Sequence, residues 1–265
     1  MKALARRANY VDALDAFTLE GDAVTAATQP TARVLYKMMP MLALVMWSAT
    51  TPVVATDACP ARPATEADTG ASTGEWKSVA DRDSICVYTR NVRRSRIREV
   101  MAIATVAAAP EEVFAVLFDF AHYSEFMPYV AATEVLKTEG SVNWVFQQHA
   151  FPFSVSDRYY TIRVDADATL AARSIYRIVW KLAATDEPSR RGRGVATSIN
   201  DGSWDLRPDV DPKATLVTYF VHTDPGGAIP AFVANTANSD SAPLIIKSVR
   251  ARVAAVKPRA ADTGP

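Results

Sequence analysis

Beyond Glu75, apolar and polar residues alternate along most of the chain, the two-residue period of strands that bury one face. This pattern predicts strands over Ile85–Thr89, Ile97–Val106, Thr133–Thr138, Val142–Gln148, Tyr159–Asp165, Ser174–Leu182, Gly202–Leu206 and Leu216–His222. Short polar turns such as Thr138-Glu139-Gly140-Ser141 separate several of them, which favours antiparallel hairpins over parallel crossovers. Two helices interrupt the strands. Ala109-Pro110-Glu111-Glu112 puts proline and acids in a first helical turn, and Val113, Val116 and Leu117 follow at helical spacing. From about Ile229, the positions Phe232, Asn235, Ser239, Ala242, Ile246, Val249, Val253 and Val256 recur every three or four residues and form one stripe. The first half of that stripe is small or polar. It reads either as plain packing against the sheet or as a face that leaves room for something else. The fold class is α+β with a mainly antiparallel sheet.

The first part of the chain follows other rules. Residues 38–54 are basic-flanked and apolar, with Arg33 and Lys37 before them and the small residue Ala55 after, the order of a secretory signal peptide. The uninterrupted apolar run, Met41 to Trp47, is well short of the roughly 20 residues that cross a bilayer. Asp12, Asp15, Glu20 and Asp22 do not suit the leader of such a signal, so residues 1–37 are expected to be an extension or a misplaced start, with translation beginning at Met38 or Met39. Residues 56–74 are small and polar, a linker, and 258–265 a tail. A periplasmic or secreted location follows, with anchoring through the apolar segment as the alternative. In an oxidising compartment Cys59 and Cys86 form a candidate disulfide that would tether the linker to the first strand.

Composition narrows the function. Hydrophobic residues make up 49% of the chain and charged residues 22%, enough for one sizeable core. Lysine plus arginine equals aspartate plus glutamate at 29 each, so the overall charge points to no nucleic acid partner. Three histidines, His122, His149 and His222, lack the spacing or cysteine company of a zinc site, and there is no nucleophile elbow or phosphate-cradling glycine loop. No cofactor is implied. Trp144, Phe146, Tyr160, Trp180, Trp204 and Tyr219 stand on alternating strand positions and either fill the interior or line a hollow. The aromatic segment from Asp119 to Tyr129 reads as the rim of such a hollow or as a lid on the sheet edge. Arg158 follows an apolar loop and needs a partner, either Asp157 or the polar head of a ligand. The basic turn Arg190-Arg191-Gly192-Arg193 is a solvated loop or a transient contact with anionic lipid headgroups. Nothing fixes the oligomeric state.

Three stretches carry a family resemblance: Ala109 through Asp119, Phe151-Pro152-Phe153-Ser154-Val155-Ser156-Asp157-Arg158-Tyr159-Tyr160, and Thr223-Asp224-Pro225-Gly226-Gly227-Ala228-Ile229-Pro230-Ala231-Phe232-Val233-Ala234-Asn235. Together they resemble the bacterial form of the START lipid-transfer domain over about Glu75 to Val256. The resemblance implies a helix-grip fold, a curved antiparallel sheet around the long C-terminal helix with an internal cavity. It also implies one bound hydrophobic molecule, such as a sterol, phospholipid or fatty acid, carried or sequestered without covalent catalysis. Tyr129, Trp144, Phe146, Arg158, Tyr160, Trp180, Trp204, Tyr219, Phe232 and Asn235 are then the candidate ligand contacts. The family's segment commonly ends Arg-Asp, whereas here Asp157 precedes Arg158. Polyketide aromatases and cyclases share the scaffold, so an enzyme that positions a chain for dehydration or ring closure is the second reading. A purely regulatory binding domain is the third.

Overall fold

The computed structural model of the protein describes residues 74–151 and 155–256. The expected N-terminal extension, signal segment and tail, the linker up to residue 73, Cys59 and Pro152 to Ser154 lie outside the described residues.

Ten strands form one sheet: β1 (Lys77–Arg82), β2 (Ile85–Arg90), β3 (Glu99–Val106), β4 (Val130–Glu139), β5 (Val142–His149), β6 (Arg158–Asp167), β7 (Tyr176–Leu182), β8 (Val195–Ala196), β9 (Ile199–Pro208) and β10 (Thr215–Asp224). Their order is β1-β2-β3-β10-β9-β7-β6-β5-β4, with β8 paired to the start of β6. Every pairing is antiparallel except that of β8 with β6. The eight expected strands all form, most extended by a residue or more at the ends. The sequence reading missed β1, whose Lys-Ser-Val-Ala-Asp-Arg offers little alternation, and the two-residue β8. Both edge strands carry register shifts, at Ser78/Ala80 in β1 and at two places in β4. Such bulges disfavour pairing with another chain.

Among the described residues three α-helices complete the fold. In α1 (Pro110–Phe118) the Ala109 N–H donates to the Glu112 carboxylate at 2.9 Å, so one of the paired acids caps the helix. Val113, Val116 and Leu117 are its buried face. A 3-10 turn, Phe120–His122, leads into the one-turn α2 (Tyr123–Phe126). The long α3 (Ala231–Val256) packs on β2, β3 and α1, burying Ala234, Ala242, Ile246, Val249 and Val253. Two ends of the expected stripe depart from it: Phe232 is 74% exposed and Val256 51%. In the first turn of α3 it is Ala234 rather than Phe232 that turns inward. Near the other end the Arg250 guanidinium donates to the carbonyls of Thr105 and Asp83, and Lys247 pairs with Asp83 at 2.5 Å. These bonds fasten the helix to the β1–β2 turn.

The core follows strand parity. Val100, Ala102, Ala104 and Val106 of β3 face α3, while Met101 and Ile103 join Leu216, Trp76 and Tyr88 on the other side of the sheet. Cys86 is disulfide-bonded; Cys59, its expected partner, lies outside the described residues.

Candidate functional site

Between α3 and the far half of the sheet the side chains do not close completely. A hollow of about 110 Å³ remains, lined mainly by aromatic and aliphatic side chains. Its walls come from β5, β6, β7, β9 and β10, and its cover is the segment Phe120 to Pro128 with Ile245 of α3. The space therefore lies mainly under the aromatic segment after α1, whereas the sequence reading placed it against the long helix. The reason is packing: α3 sits on the β2–β3 side and fills that half of the fold.

The apolar part is built from Ile162, Val164, Ile178, Trp204 and Phe120. Trp204 and Tyr219 pack at a tilt of 36° across β9 and β10, ring centroids 4.4 Å apart, and Trp180 lies 6.1 Å from Tyr219. Tyr123 closes the cover, donating its hydroxyl to the Leu117 carbonyl at 2.5 Å. At one side of this wall stands a polar cluster. The Tyr160 hydroxyl donates to Gln147 Oε1 at 2.7 Å, and His149 Nε2 lies 2.8 Å from the Tyr160 hydroxyl and 3.1 Å from Gln147 Oε1. Trp180 Nε1 donates to Asn200 Oδ1 at 3.1 Å. Burial dominates the protonation of this cluster. It lowers the His149 pKa to about 4, so the ring is neutral at pH 7, and it raises the phenols of Tyr123, Tyr160 and Tyr219. Among the described lining residues there is no Asp, Glu, Lys, Arg or Cys.

The structure brings together four of the ten expected contacts, Tyr160, Trp180, Trp204 and Tyr219. Six stand elsewhere. Trp144 and Phe146 lie on the opposite face of β5, where Lys137 and Arg163 cover the indole and Arg190 the phenyl ring. Tyr129 takes a left-handed φ of 63° and packs at a tilt against Phe151, 5.1 Å between centroids. Phe232 faces solvent, and Asn235 ties α3 to the β2–β3 loop. Arg158 meets neither expectation. Its guanidinium donates to the Pro225 carbonyl at 3.0 Å and to the Ser156 carbonyl, while Asp157 pairs with Arg193 at 3.4 Å. Arg158 thereby holds the Asp-Pro-Gly-Gly turn against the start of β6. Within that turn Gly226 has φ 70°, and a Cβ there would stand 2.5 Å from the Ala196 carbonyl, so glycine is required twice over. The sequence reading missed Gln147, His149 and Asn200 as cavity residues. Only their parity with Val145 and Trp204 carried that signal.

A second, wider concavity lies around Arg163, Asp165, Asp167 and Arg177. It is open and charged, and its arginines are paired with acids, Arg163 with Glu187 at 3.6 Å and Arg177 with Asp205 at 3.2 Å. The aromatic hollow is the better candidate.

A mainly antiparallel ten-stranded sheet gripping a long C-terminal helix, with a mostly apolar hollow between the layers, defines the helix-grip class. The chain belongs to the START-like family described as polyketide cyclase / dehydrase and lipid transport, whose model matches residues 106–250. It is similar to the STAR-related lipid transfer protein from Xanthomonas axonopodis, with 29% identity and a TM-score of 0.60 over 68% of this chain and 98% of that one. The human StAR-related lipid transfer protein 5 shares the fold, with a TM-score of 0.61 at 15% identity over 71% of this chain and 88% of that one. An uncharacterised Pseudomonas aeruginosa protein is 27% identical over 176 residues, 66% of this chain and 85% of that one.

Proposed function

We propose that the protein binds one hydrophobic molecule carrying a single polar group, for transfer or sequestration, and does no covalent chemistry on it. The observation that carries this reading is the lining itself: an aromatic and aliphatic wall with one hydrogen-bonded cluster, Gln147, His149, Tyr160, at its side. Apolar contact gives such a guest its affinity, and the cluster orients its hydroxyl or carbonyl. The similarity to lipid-transfer structures points the same way.

Size sets a condition. A hollow of about 110 Å³ admits a single ring or a chain end, less than the roughly 300 Å³ at which pockets begin to enclose drug-sized ligands. A whole lipid requires the cover from Phe120 to Pro128 to lift away from the sheet. That cover is one 3-10 turn and one helical turn, linked to α3 through Arg252 and Glu125 at 3.0 Å. Short elements of this kind open at low cost compared with a strand of the sheet.

The family description also includes cyclases and dehydrases. A general base works best with a pKa near the operating pH, and burial holds His149 well below it. This favours binding over catalysis. The disulfide at Cys86 supports an oxidising compartment for the protein.

The test is a titration of the intrinsic tryptophan emission with a long-chain fatty acid and with a sterol. Val164→Phe, which puts a larger ring into the hollow, is expected to weaken binding at least tenfold while the chain stays folded. Saturable binding that Val164→Phe leaves unchanged would place the ligand elsewhere. Conversion of an added polyketide chain would move the assignment to the enzyme.

A further inference from the structure

Between β2 and β3 the chain reads Asn91-Val92-Arg93-Arg94-Ser95-Arg96-Ile97-Arg98. Arg93, Arg94, Arg96 and Arg98 are all exposed, and none makes an ion pair with a described carboxylate. The turn Arg190-Arg191-Gly192-Arg193, expected as a solvated loop or a transient headgroup contact, differs, because Arg190 pairs with Glu134 and Arg193 with Asp157. In a chain whose charges sum to zero, four uncompensated guanidiniums in one loop are a local concentration of positive charge.

The loop is held in place. Ser95 Oγ accepts from the Ile97 N–H at 3.0 Å and donates to the Ile97 carbonyl, Ile97 is buried, and Arg94 takes a left-handed φ of 62°. Asn235 then joins it to α3: the Arg98 N–H donates to Asn235 Oδ1 at 2.8 Å, and Asn235 Nδ2 donates to the Arg96 carbonyl at 3.1 Å. Just before Asn235 stand Phe232 and Val233, 74% and 42% exposed. Among the described residues the side chains of all four arginines have no ion-pair partner, while the backbone is fixed.

Like charges crowded beside an exposed phenylalanine ask for a partner that offers anions and an apolar layer together. An anionic bilayer surface offers both. Its phosphates accept forked hydrogen bonds from guanidinium groups, and the boundary beneath them takes up an aromatic ring. Nucleic acid offers the phosphates but no acyl layer into which the exposed ring of Phe232 could sink. We propose that the Arg93–Arg98 loop, with Phe232, docks the protein on an anionic lipid surface. This surface is separate from the hollow, and the proposal stands whether or not the hollow takes a lipid.

The experiment is co-sedimentation of the purified chain with vesicles of phosphatidylcholine and with vesicles of phosphatidylcholine and phosphatidylglycerol in equal parts. Every variant keeps the same N-terminus, so any contribution from residues 38–54 is common to all. The wild-type chain is expected to prefer the anionic vesicles and to lose binding as salt rises. Each single Arg→Gln change at 93, 94, 96 or 98 should lower partitioning about fivefold, and the four together more than a hundredfold. Phe232→Ser should weaken binding with the salt dependence intact, and a Phe232→Trp probe should shift its emission to the blue on anionic vesicles. Circular dichroism checks each fold, and the single variants carry the test if the fourfold one is unstable. Equal binding to neutral vesicles, or full binding by folded Arg→Gln variants, would overturn the proposal. So would tight binding of a single-stranded RNA by the same arginines with vesicles ignored. Fatty-acid titration of the hollow, unchanged in the arginine variants, keeps this result distinct from the reading of the cavity.

Discussion

Arg158 illustrates how a buried charge is assigned by geometry that its neighbours in sequence do not reveal. It lies next to Asp157, yet along a strand successive side chains point to opposite faces, so the two diverge. Its partners are the carbonyls of Ser156 and of Pro225, the second brought near only when β10 turns into α3. Replacing Arg158 with leucine leaves both carbonyls without these donors and is expected to cost about 2–3 kcal/mol of stability in urea unfolding. Ligand affinity of the folded fraction should stay unchanged; a selective loss of affinity would return Arg158 to the binding site. His149 makes a prediction in pH. Its folded pKa, about 4, lies below the unfolded value near 6.5, so the unfolded chain binds the proton first as pH falls. Above pH 6.5 both states are neutral and His149 contributes no pH dependence. Between pH 6.5 and 4 it should remove roughly 3 kcal/mol of stability, and His149→Gln should abolish that part of the slope in unfolding curves recorded across this window.

At the scale of elements, β5 explains why the site was only half legible. Alternation placed the strand correctly, but all six residues from Asn143 to Gln148 are buried, and the large aromatics Trp144 and Phe146 share one face while Val145, Gln147 and His149 share the other. Size and hydropathy assign the aromatics inward, and a one-residue error of parity turns every side chain over. On β6, β7, β9 and β10 the inward face is the aromatic one, so Tyr160, Trp180, Trp204 and Tyr219 were readable. The cover was visible as an aromatic stretch, though Phe120 to Phe126 is too short for helical periodicity to declare itself. Parity gives a direct check. Phe146→Ala is expected to lower stability by about 2–4 kcal/mol through lost packing, with ligand affinity within twofold of wild type. A tenfold loss of affinity in the folded Phe146→Ala protein would mean that the binding face is the other one.

For the whole molecule, the antiparallel layout and the motif at the β10–α3 turn were legible, because strand alternation and a glycine-rich turn are local properties, and the helix-grip class followed from the family resemblance. The position of the hollow was not, since it depends on which half of a ten-stranded sheet the long helix covers. That long-range choice leaves the hollow over β5, β6, β7 and β9 roofed by two short turns together with Ile245 of α3. The account rests on this roof lifting to admit a guest larger than the closed space. Native mass spectrometry of the full chain purified from its own host, followed by solvent extraction, tests this most directly. A protein ion heavier by one hydrophobic molecule, released on extraction and absent from Val164→Phe, is the expected result. A bare protein mass from host and recombinant sources alike, with no uptake from added lipid, would contradict it.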